Sequence, residues 1–235
     1  MAETPEKGPA APAQPVAEEA EKVPRKRGPK VDVELTRQRR HDIMTGAARL
    51  FDRVGYHGVN MEMIAEAAGL KKPTLYHYIR GKDEILFGIH ETMIESLRSK
   101  TEERIAAGLS PIEILQGICE DIFQQMHDYP GYVRAFFEHL RELDEDRRKQ
   151  IRKERNAYMA EVMQVISDGM DQGLFQRADV RLTALCLLGI CNWAYQWYRP
   201  GRDPEPAEIA AACWNIFARG LLAPEARERL AAAKP

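Results

Sequence analysis

The sequence has little that would place the protein in a membrane or outside the cell. No apolar run approaches the ~20 residues that a helix needs to cross a bilayer, and the N-terminus has no signal-type apolar segment. The chain has 235 residues, 44% of them hydrophobic, which is enough to bury a substantial core. We therefore expect a cytoplasmic protein with no membrane partner.

Cysteine and catalytic motifs are also scarce. The four cysteines form no CxxC pair and have no histidine at metal-ligand spacing, so we interpret them as reduced core residues rather than a metal or redox site. The sequence contains no nucleophile elbow, no phosphate-binding glycine loop and no metal-ligand helix motif. These absences indicate a protein that is not an enzyme and has no cofactor.

Charge is distributed unevenly along the chain. The net charge is −2 overall, but residues 1–22 carry −3, residues 23–82 carry +7 and residues 83–235 carry −6. A basic segment of this kind is typical of a surface that binds nucleic acid phosphates. The remainder of the chain would repel DNA.

The N-terminal arm, residues 1–30, ends in a basic cluster. Its first 23 residues are rich in Ala, Pro and Glu without periodicity, a composition that predicts disorder. The cluster contains Arg25, Lys26 and Arg27 and lies directly ahead of the first predicted helix. It is either an arm that enters the DNA minor groove or a solubilising tail that phosphates attract.

Residues 55–82 carry the clearest local pattern, which predicts two short helices joined by a tight turn. Asn60 is a good N-cap, and the apolar residues that follow it recur at helical spacing. Gly69 suits the left-handed residue that ends a helix, and Pro73 suits the start of the next one. This arrangement is a helix-turn-helix, whose second helix lies in the major groove of DNA.

The second helix of this motif has an apolar side and a polar side. Leu75, Tyr78 and Ile79 share the side that packs, while Thr74 and His77 face outward. Lysines and Tyr76 flank the outward side. The predicted DNA-binding residues are Asn60, Lys71, Lys72, Thr74, Tyr76, His77 and Lys82, together with Arg25, Lys26 and Arg27 of the arm. Most of these contacts would be to phosphates, which set register rather than sequence preference.

Several of these residues also carry a family resemblance. The chain resembles the TetR family of transcriptional repressors over about residues 37–88, through Gly55-Tyr56, Ile64-Ala65, Ala68-Gly69, Thr74 to Tyr78 and Lys82 to Glu84. Ile79 departs from the family pattern, which usually has Phe there. The resemblance implies that Thr74, Tyr76, His77 and Lys82 contact DNA and that Asn60 caps the second helix.

The rest of the chain has helical periodicity and no convincing strand signal. Ser110 and Glu113 form a capping box around Pro111, and Gly173 ends a long helix. Helices are predicted at about 37–54, 83–103, 111–129, 131–143, 144–171, 179–198 and 205–222 in addition to the two of the motif. The predicted fold is therefore all-α, with a three-helix DNA-binding domain at 31–82, a connecting helix at 83–103, a helical-bundle effector-binding and dimerisation domain at 104–222 and a tail at 223–235.

The last two predicted helices are apolar nearly all round. A helix of this kind is buried on every side, so we expect its second face to meet another subunit. The resemblance implies the same, since TetR-like proteins dimerise through their two terminal helices. We expect a homodimer on a palindromic operator, and the notable interface candidates are Trp214 and Ala218.

Inward-facing aromatic and methionine side chains of the larger domain are candidates for an effector site, although solid core is an equal reading. The candidates are Phe123, Met126, Phe136, Phe137, Tyr158, Met159, Met163, Trp193 and Trp197, with Arg199. Six basic residues at 147–155 are expected to pair with neighbouring acids, and phosphate recognition is the second reading.

Two effector classes remain open at the level of sequence. The segment 192–200 resembles TetR-like regulators of fatty-acid, aromatic-acid and steroid-ring degradation, and that resemblance implies an acyl-CoA thioester. The alternative is a multidrug-type sensor of aromatic or cationic compounds, with counter-charges at Glu120, Asp121, Glu138 and Glu142. A constitutive DNA-binding protein without an effector is a third possibility.

Overall fold

The computed structural model describes residues 33–226 and 228, and its regular structure is helical. An isolated antiparallel bridge joins Phe175 to Leu222. The helices are α1 (Val33–Val54), α2 (Met61–Ala67), α3 (Lys72–Tyr78), α4 (Lys82–Ala106), α5 (Pro111–Asp128), α6 (Pro130–Glu138), α7 (Glu145–Asp171), α8 (Val180–Trp193) and α9 (Pro206–Leu221), with short 3-10 helices at Leu140–Glu142 and Ala194–Gln196. No helix among the described residues is both long and apolar enough to cross a membrane.

Helices α1 to α3 form the predicted three-helix unit, which confirms the fold class. Ile43, Ala47 and Phe51 recur along one face of α1, and they share a buried apolar cluster with Ile64 of α2 and Leu75 of α3. The exact domain boundaries remain a prediction, because α4 packs against both α1 and the larger bundle.

Three predicted helix boundaries were wrong. Helix α1 begins at Val33 rather than near residue 37, and its first turn carries the acidic Glu34, which the helix dipole favours there. Helix α6 ends at Glu138 rather than at 143, and the chain there tightens into a 3-10 helix that contacts the α1–α2 loop through His139 and Glu142. Helix α8 ends at Trp193 rather than at 198 for a related reason: Tyr195 leaves the helical path to stack on Phe137, with ring centroids 4.8 Å apart.

The larger bundle is built around α5. The capping box at its start is present in full, with the Ser110 hydroxyl accepting from the Glu113 backbone N–H and the Glu113 carboxylate accepting from the Ser110 backbone N–H. Most of the helix is buried among α4, α7, α8 and α9. A buried carboxylate, Asp121, accepts from Lys100 at 3.1 Å and from Arg104 at 2.5 Å, which fastens the C-terminal end of α4 to α5.

Helices α8 and α9 have one buried and one exposed face, and both faces of α8 are apolar. The exposed side of α8 carries an apolar stripe made of Leu182, Leu185, Cys186, Gly189, Ile190 and Trp193. On α9 the large apolar side chain of Ile216 is 71% exposed, whereas Trp214 is 4% exposed. The interface candidates Trp214 and Ala218 were therefore wrong, since both side chains pack into the core of their own subunit. Cys186 is likewise exposed rather than in the core as predicted.

Candidate DNA interface and effector cavity

The turn between α2 and α3 is fixed by its own backbone. The Asn60 side chain accepts from the backbone N–H groups of Glu62 and Met63 at 2.9 and 3.0 Å, which confirms it as the N-cap of α2. Gly69 has φ +64°, and the bonds Gly69 N–H to Glu66 O (3.0 Å) and Leu70 N–H to Ala65 O (2.8 Å) form a Schellman motif. This turn therefore sets the direction in which α3 begins, and it strongly prefers glycine at position 69.

Helix α3 presents the predicted polar face to solvent. Thr74 and His77 are exposed and Tyr76 is 47% exposed, while Leu75 on the opposite side is fully buried. Lys71 is the N-cap residue and Lys72 opens the helix. The exposed row of hydroxyl, imidazole and phenol groups, with lysines at its start, is suited to contacts with base edges and phosphates.

Arg40 of α1 holds the far end of α3 in place. Its guanidinium donates to the Tyr78 carbonyl and to the Glu84 carboxylate, the latter at 2.8 Å, and Glu84 also accepts from the Arg80 backbone N–H at 2.8 Å. Burial acts to raise the pKa of Glu84, but the hydrogen bonds from Arg80 and Arg40 outweigh it and leave that pKa below its ordinary value. The ionised carboxylate thus ties α1, α3 and α4 together.

Lys82 is the predicted DNA contact whose side chain is already engaged. Its ammonium donates to the Tyr56 carbonyl at 2.9 Å and lies 4.6 Å from the centroid of the Tyr56 ring. The side chain is half-buried, and two of its three N–H donors remain for other partners. The basic residues Arg25, Lys26 and Arg27 lie outside the described residues.

A cavity of about 540 Å³ opens between α7 and α8 and reaches α4, α5 and α6. This volume is in the range of small-molecule sites. Its lining comprises Ile94, Leu97, Ile122, Phe136, Arg152, Arg155, Asn156, Tyr158, Met159, Arg181, Leu185, Leu188, Gly189 and Asn192.

The charged side chains of this lining are all arginines. Arg152 also pairs with Glu145 at 2.9 Å, but the structure records no ion pair for Arg155 or Arg181 among the described residues. Burial lowers the pKa of Arg155, whose guanidinium lies 4.8 Å above the Phe136 ring. On the other side of the lining, burial raises the pKa of the Tyr158 phenol, whose hydroxyl lies near Thr101 but makes no hydrogen bond of normal geometry in the described part of the chain. The cavity therefore offers positive charge and hydrogen-bond donors at an otherwise apolar wall.

Two family models match the chain, and together they cover most of it. One is described as bacterial regulatory proteins, tetR family, and matches residues 43–89. The other is described as a tetracyclin repressor-like C-terminal domain and matches residues 108–221. The chain belongs to the TetR family.

Individual relatives agree with this assignment along nearly their whole length. The transcriptional repressor KstR2 of Rhodococcus jostii is 27% identical over 188 residues, which cover 79% of this chain and 92% of the relative. The TetR-family regulator PfmR of Thermus thermophilus is 26% identical with a TM-score of 0.71, over 76% of this chain and 97% of PfmR. AibR, solved in complex with isovaleryl coenzyme A and operator DNA, is 25% identical with a TM-score of 0.66, over 76% and 97%. This TetR-family chain is a DNA-binding transcriptional repressor rather than an enzyme.

The cavity of this TetR-family chain is lined by only some of the residues predicted to bind the ligand. Phe136, Tyr158 and Met159 line it, and Met126 and Phe137 line an adjoining space of about 30 Å³ that shares Phe136 and Asn192. The remaining predictions were wrong for this cavity: Phe123 is fully buried in solid core, Met163 packs outside the lining, and Trp193, Trp197 and Arg199 lie on exposed surface. Arg199 instead donates to the carbonyls of Tyr198 and Gln196.

Sequence reasoning missed most of the polar lining. Arg181, Asn156 and Asn192 were not nominated, and Arg152 and Arg155 were noted only as members of a basic cluster. One available signal was the spacing along α7, where Arg152, Arg155 and Met159 recur at three and four residues and so share one helix face. The other basic residues of that cluster lie outside the lining, and Arg148 and Lys149 pair with Glu145 and Asp146 as expected.

Proposed function

We propose that this repressor binds a palindromic operator as a homodimer and is released from it by an acyl-CoA thioester. The operator contacts would come from Lys71, Lys72, Thr74, Tyr76, His77 and Lys82, with the arm residues Arg25, Lys26 and Arg27 at its flank. Asn60 would position the motif. The effector would occupy the cavity between α7 and α8.

The observation that carries the effector class is the charge of the cavity. Within the described part of the chain, its lining includes three arginines and no aspartate or glutamate. Arginine pairs with phosphate and carboxylate through charge-assisted, often bidentate, hydrogen bonds. The apolar wall formed by Ile94, Leu97, Ile122 and Leu188 suits an acyl group. An anionic head on an apolar tail therefore matches both parts of the site.

The comparison with AibR supports the same class of effector. AibR was solved with both isovaleryl coenzyme A and operator DNA, and the structural match to this protein covers 97% of the AibR chain. An acyl-CoA thioester combines phosphates with an acyl chain, and these two parts would match the arginines and the apolar wall of the cavity.

The two alternative functions have less support. The carboxylates considered for a cationic effector lie outside the lining: Asp121 is paired with Lys100 and Arg104, and Glu142 faces His57 at 3.1 Å. Glu120 and Glu138 are exposed and likewise absent from the lining. A constitutive DNA-binding protein would have no need of a cavity of about 540 Å³.

Dimerisation is proposed from the exposed apolar stripe of α8 and from Ile216 of α9. Leu182 and Trp193, at opposite ends of the stripe, are 61% and 65% exposed. A contiguous apolar surface of this kind on a soluble domain marks an interaction site, and burying it between two subunits would remove it from water. The two helices would form a four-helix interface with those of a second copy.

The effector proposal is tested by releasing DNA with matched ligands. An operator would first be selected from random duplexes, and its complex followed by fluorescence anisotropy. We expect octanoyl- or isovaleryl-CoA to release the operator, and free coenzyme A or the free acids to fail. Arg155→Gln and Arg181→Gln should weaken release by about tenfold or more, since each removes a charged hydrogen bond. Lys153→Gln, on the exposed side of α7, is the control. Equal release by cationic dyes would contradict the proposal.

The dimer proposal is tested by sedimentation velocity. Ile216→Glu would place an unpaired charge in the proposed interface, at a cost of several kcal/mol, and should give monomers. Ala160→Glu, at an exposed position of α7 outside the proposed interface, controls for added charge, and thermal unfolding checks the fold of both. A dimer that persists unchanged in Ile216→Glu would move the interface elsewhere.

A further inference from the structure

We propose that Asn192 recognises the thioester carbonyl of the effector, and that the acyl group lies in the small space beyond it. This inference rests on the proposed function, because it assigns the specificity of the same cavity. It comes from the position of one neutral amide at the point where the main cavity meets the adjoining space of about 30 Å³.

Asn192 lies at one end of the face that α8 turns toward the main cavity. Arg181, Leu185, Leu188 and Asn192 recur at intervals of three and four residues and all line this cavity, so they share one side of the helix. Arg181 and Asn192 are eleven positions apart, which is about 16 Å of helix at 1.5 Å per residue. The face therefore carries a guanidinium at one end and a neutral amide at the other.

The Asn192 side chain borders both spaces, whereas each of the three cavity arginines lines the main cavity alone. The other residues that line both spaces are apolar: Leu97, Ile122 and Phe136. Among the described residues, the Asn192 amide is thus the polar group that marks the junction between the arginine-lined cavity and the small space.

This amide is available to a ligand. Asn192 is half-buried, and its side chain has no hydrogen-bond partner in the part of the chain that the structure describes. Gln125, the other polar side chain of the small space, already donates to the Met93 carbonyl at 3.2 Å. A carboxamide that loses water without gaining a partner costs free energy, so a ligand that fills the junction should offer it a hydrogen-bond acceptor.

The order of groups in an acyl-CoA thioester matches this arrangement. Its phosphates and its acyl chain lie at opposite ends of the pantetheine arm, and the thioester carbonyl is the acceptor next to the acyl chain. With the phosphates at Arg181, the arm would run along α8 and the carbonyl oxygen would accept from the Asn192 amide. The acyl chain would then enter the small space, where Met126, Val133 and Phe137 supply apolar walls.

The decisive comparison is between isovaleryl-CoA and its thioether analogue S-isopentyl-CoA, in which a methylene group replaces the carbonyl. Calorimetry measures both affinities. In the native protein the thioester should bind roughly 3- to 10-fold more tightly, the effect of one neutral hydrogen bond. Asn192→Leu, which keeps the size of the side chain, should bring this ratio close to one. Asn156→Leu is the matched control, because Asn156 lines only the main cavity and its loss should preserve the ratio.

Arg155 is the competing donor for the carbonyl oxygen. Its guanidinium lies 4.8 Å above the ring of Phe136, which also borders both spaces. Arg155→Met should weaken the thioester and the thioether alike and leave their ratio as in the native protein, because both ligands carry the same phosphates. A ratio that survives in Asn192→Leu, or that is lost in Arg155→Met instead, would overturn the inference.

The position of the acyl group is tested with a second pair of variants. Met126→Ala enlarges the small space, so it should raise the affinity for octanoyl-CoA relative to isovaleryl-CoA by several-fold. Met163→Ala, at a residue outside both linings, is the control, and thermal unfolding checks the fold of both. An unchanged relative affinity in Met126→Ala would place the acyl chain elsewhere and contradict this part of the inference.

Failure of the inference and failure of the proposed function give different results. If the native protein bound no thioester, the proposed function would be refuted and this inference with it. If isovaleryl-CoA released the operator but bound no more tightly than its thioether analogue, the proposed function would stand and the role of Asn192 would be overturned.

Discussion

The helix-turn-helix and the effector cavity differ in how far apart in sequence their determinants lie. The turn between α2 and α3 is fixed by hydrogen bonds between residues at most five positions apart, from Asn60 to Leu70. The cavity is lined by five helices that contribute residues from Ile94 to Asn192. A site held by local hydrogen bonds can be recognised from consecutive residues of the sequence. A site lined by side chains that are distant in sequence depends on how whole helices pack.

The largest expected effect is the difference in stability loss between a substitution in the solid core and one in the cavity wall. Leu75→Ala removes a fully buried side chain from the three-helix core and should lower the free energy of unfolding by about 4 kcal/mol. Leu188→Ala enlarges a space that is already open and should cost about 2 kcal/mol. Urea denaturation followed by circular dichroism measures both. If the two losses were equal, the cavity would be closed and tightly packed in solution.

A pH dependence is expected from the helix that joins the two regions. His90 is fully buried, and neither ring nitrogen has a hydrogen-bond partner among the described residues. Burial, followed by the Arg155 charge, lowers its pKa to about 3. The unfolded chain binds a proton near pH 6.5 and the folded chain does not. His90 should therefore contribute a loss of stability of about 1.4 kcal/mol per pH unit as pH falls below about 6.5.

This contribution is isolated by comparing variants over the same pH range. His90→Leu should remove the part of the slope between pH 6.5 and 4.5 that His90 supplies, while slopes due to carboxylates remain. Unfolding curves at half-unit pH steps measure the difference between parent and variant. A parent and variant with parallel profiles would show that the imidazole is hydrated or paired in solution.

The exposed side of α3 should govern affinity without governing stability. His77→Ala and Lys72→Ala alter exposed residues, so their free energies of unfolding should stay within about 0.5 kcal/mol of the parent. If His77 reads a base, its loss should cost about 1–3 kcal/mol on the operator and little on unrelated DNA. Loss of Lys72 should weaken binding to all sequences and reduce the salt slope by about 1. Anisotropy titrations at several salt concentrations distinguish the two.

The smallest effect concerns the helix caps, which are local in both regions. Asn60→Ala in the DNA-binding unit and Ser110→Ala at the start of α5 each remove an N-cap hydrogen bond and should cost about 1 kcal/mol. Denaturant midpoints provide the measurement. Only Asn60→Ala should also weaken operator binding, because α2 positions the turn that aims α3. Equal operator affinity in both variants would mean that α3 is held mainly by Arg40 and Leu75.

These differences explain how much the sequence could predict. Caps, glycine stops and the outward row of α3 follow from residues within one or two turns of each other. The helix-turn-helix was therefore predictable, and so was the exposure of Thr74, Tyr76 and His77. The ends of α6 and α8 were not, because His139 and Tyr195 leave the helix to meet Tyr56 and Phe137, which are distant in sequence. Trp214 and Ala218 were assigned to the wrong face because the exposed side of α9 also carries apolar residues, Ile216 among them, and periodicity alone cannot orient the helix.

The positions of the three tryptophans allow the proposed dimerisation to be followed by intrinsic fluorescence. Trp193 and Trp197 are 65% and 45% exposed, Trp214 is buried, and the sequence has no other tryptophan. Indole emission moves to shorter wavelength when the ring leaves water. If Trp193 is buried in the subunit interface, dissociation of the dimer upon dilution would therefore shift the emission to longer wavelength. The DNA-binding unit contributes no indole, so the signal reports on α8, α9 and the segment between them, without a label and without interference from the operator-binding surface.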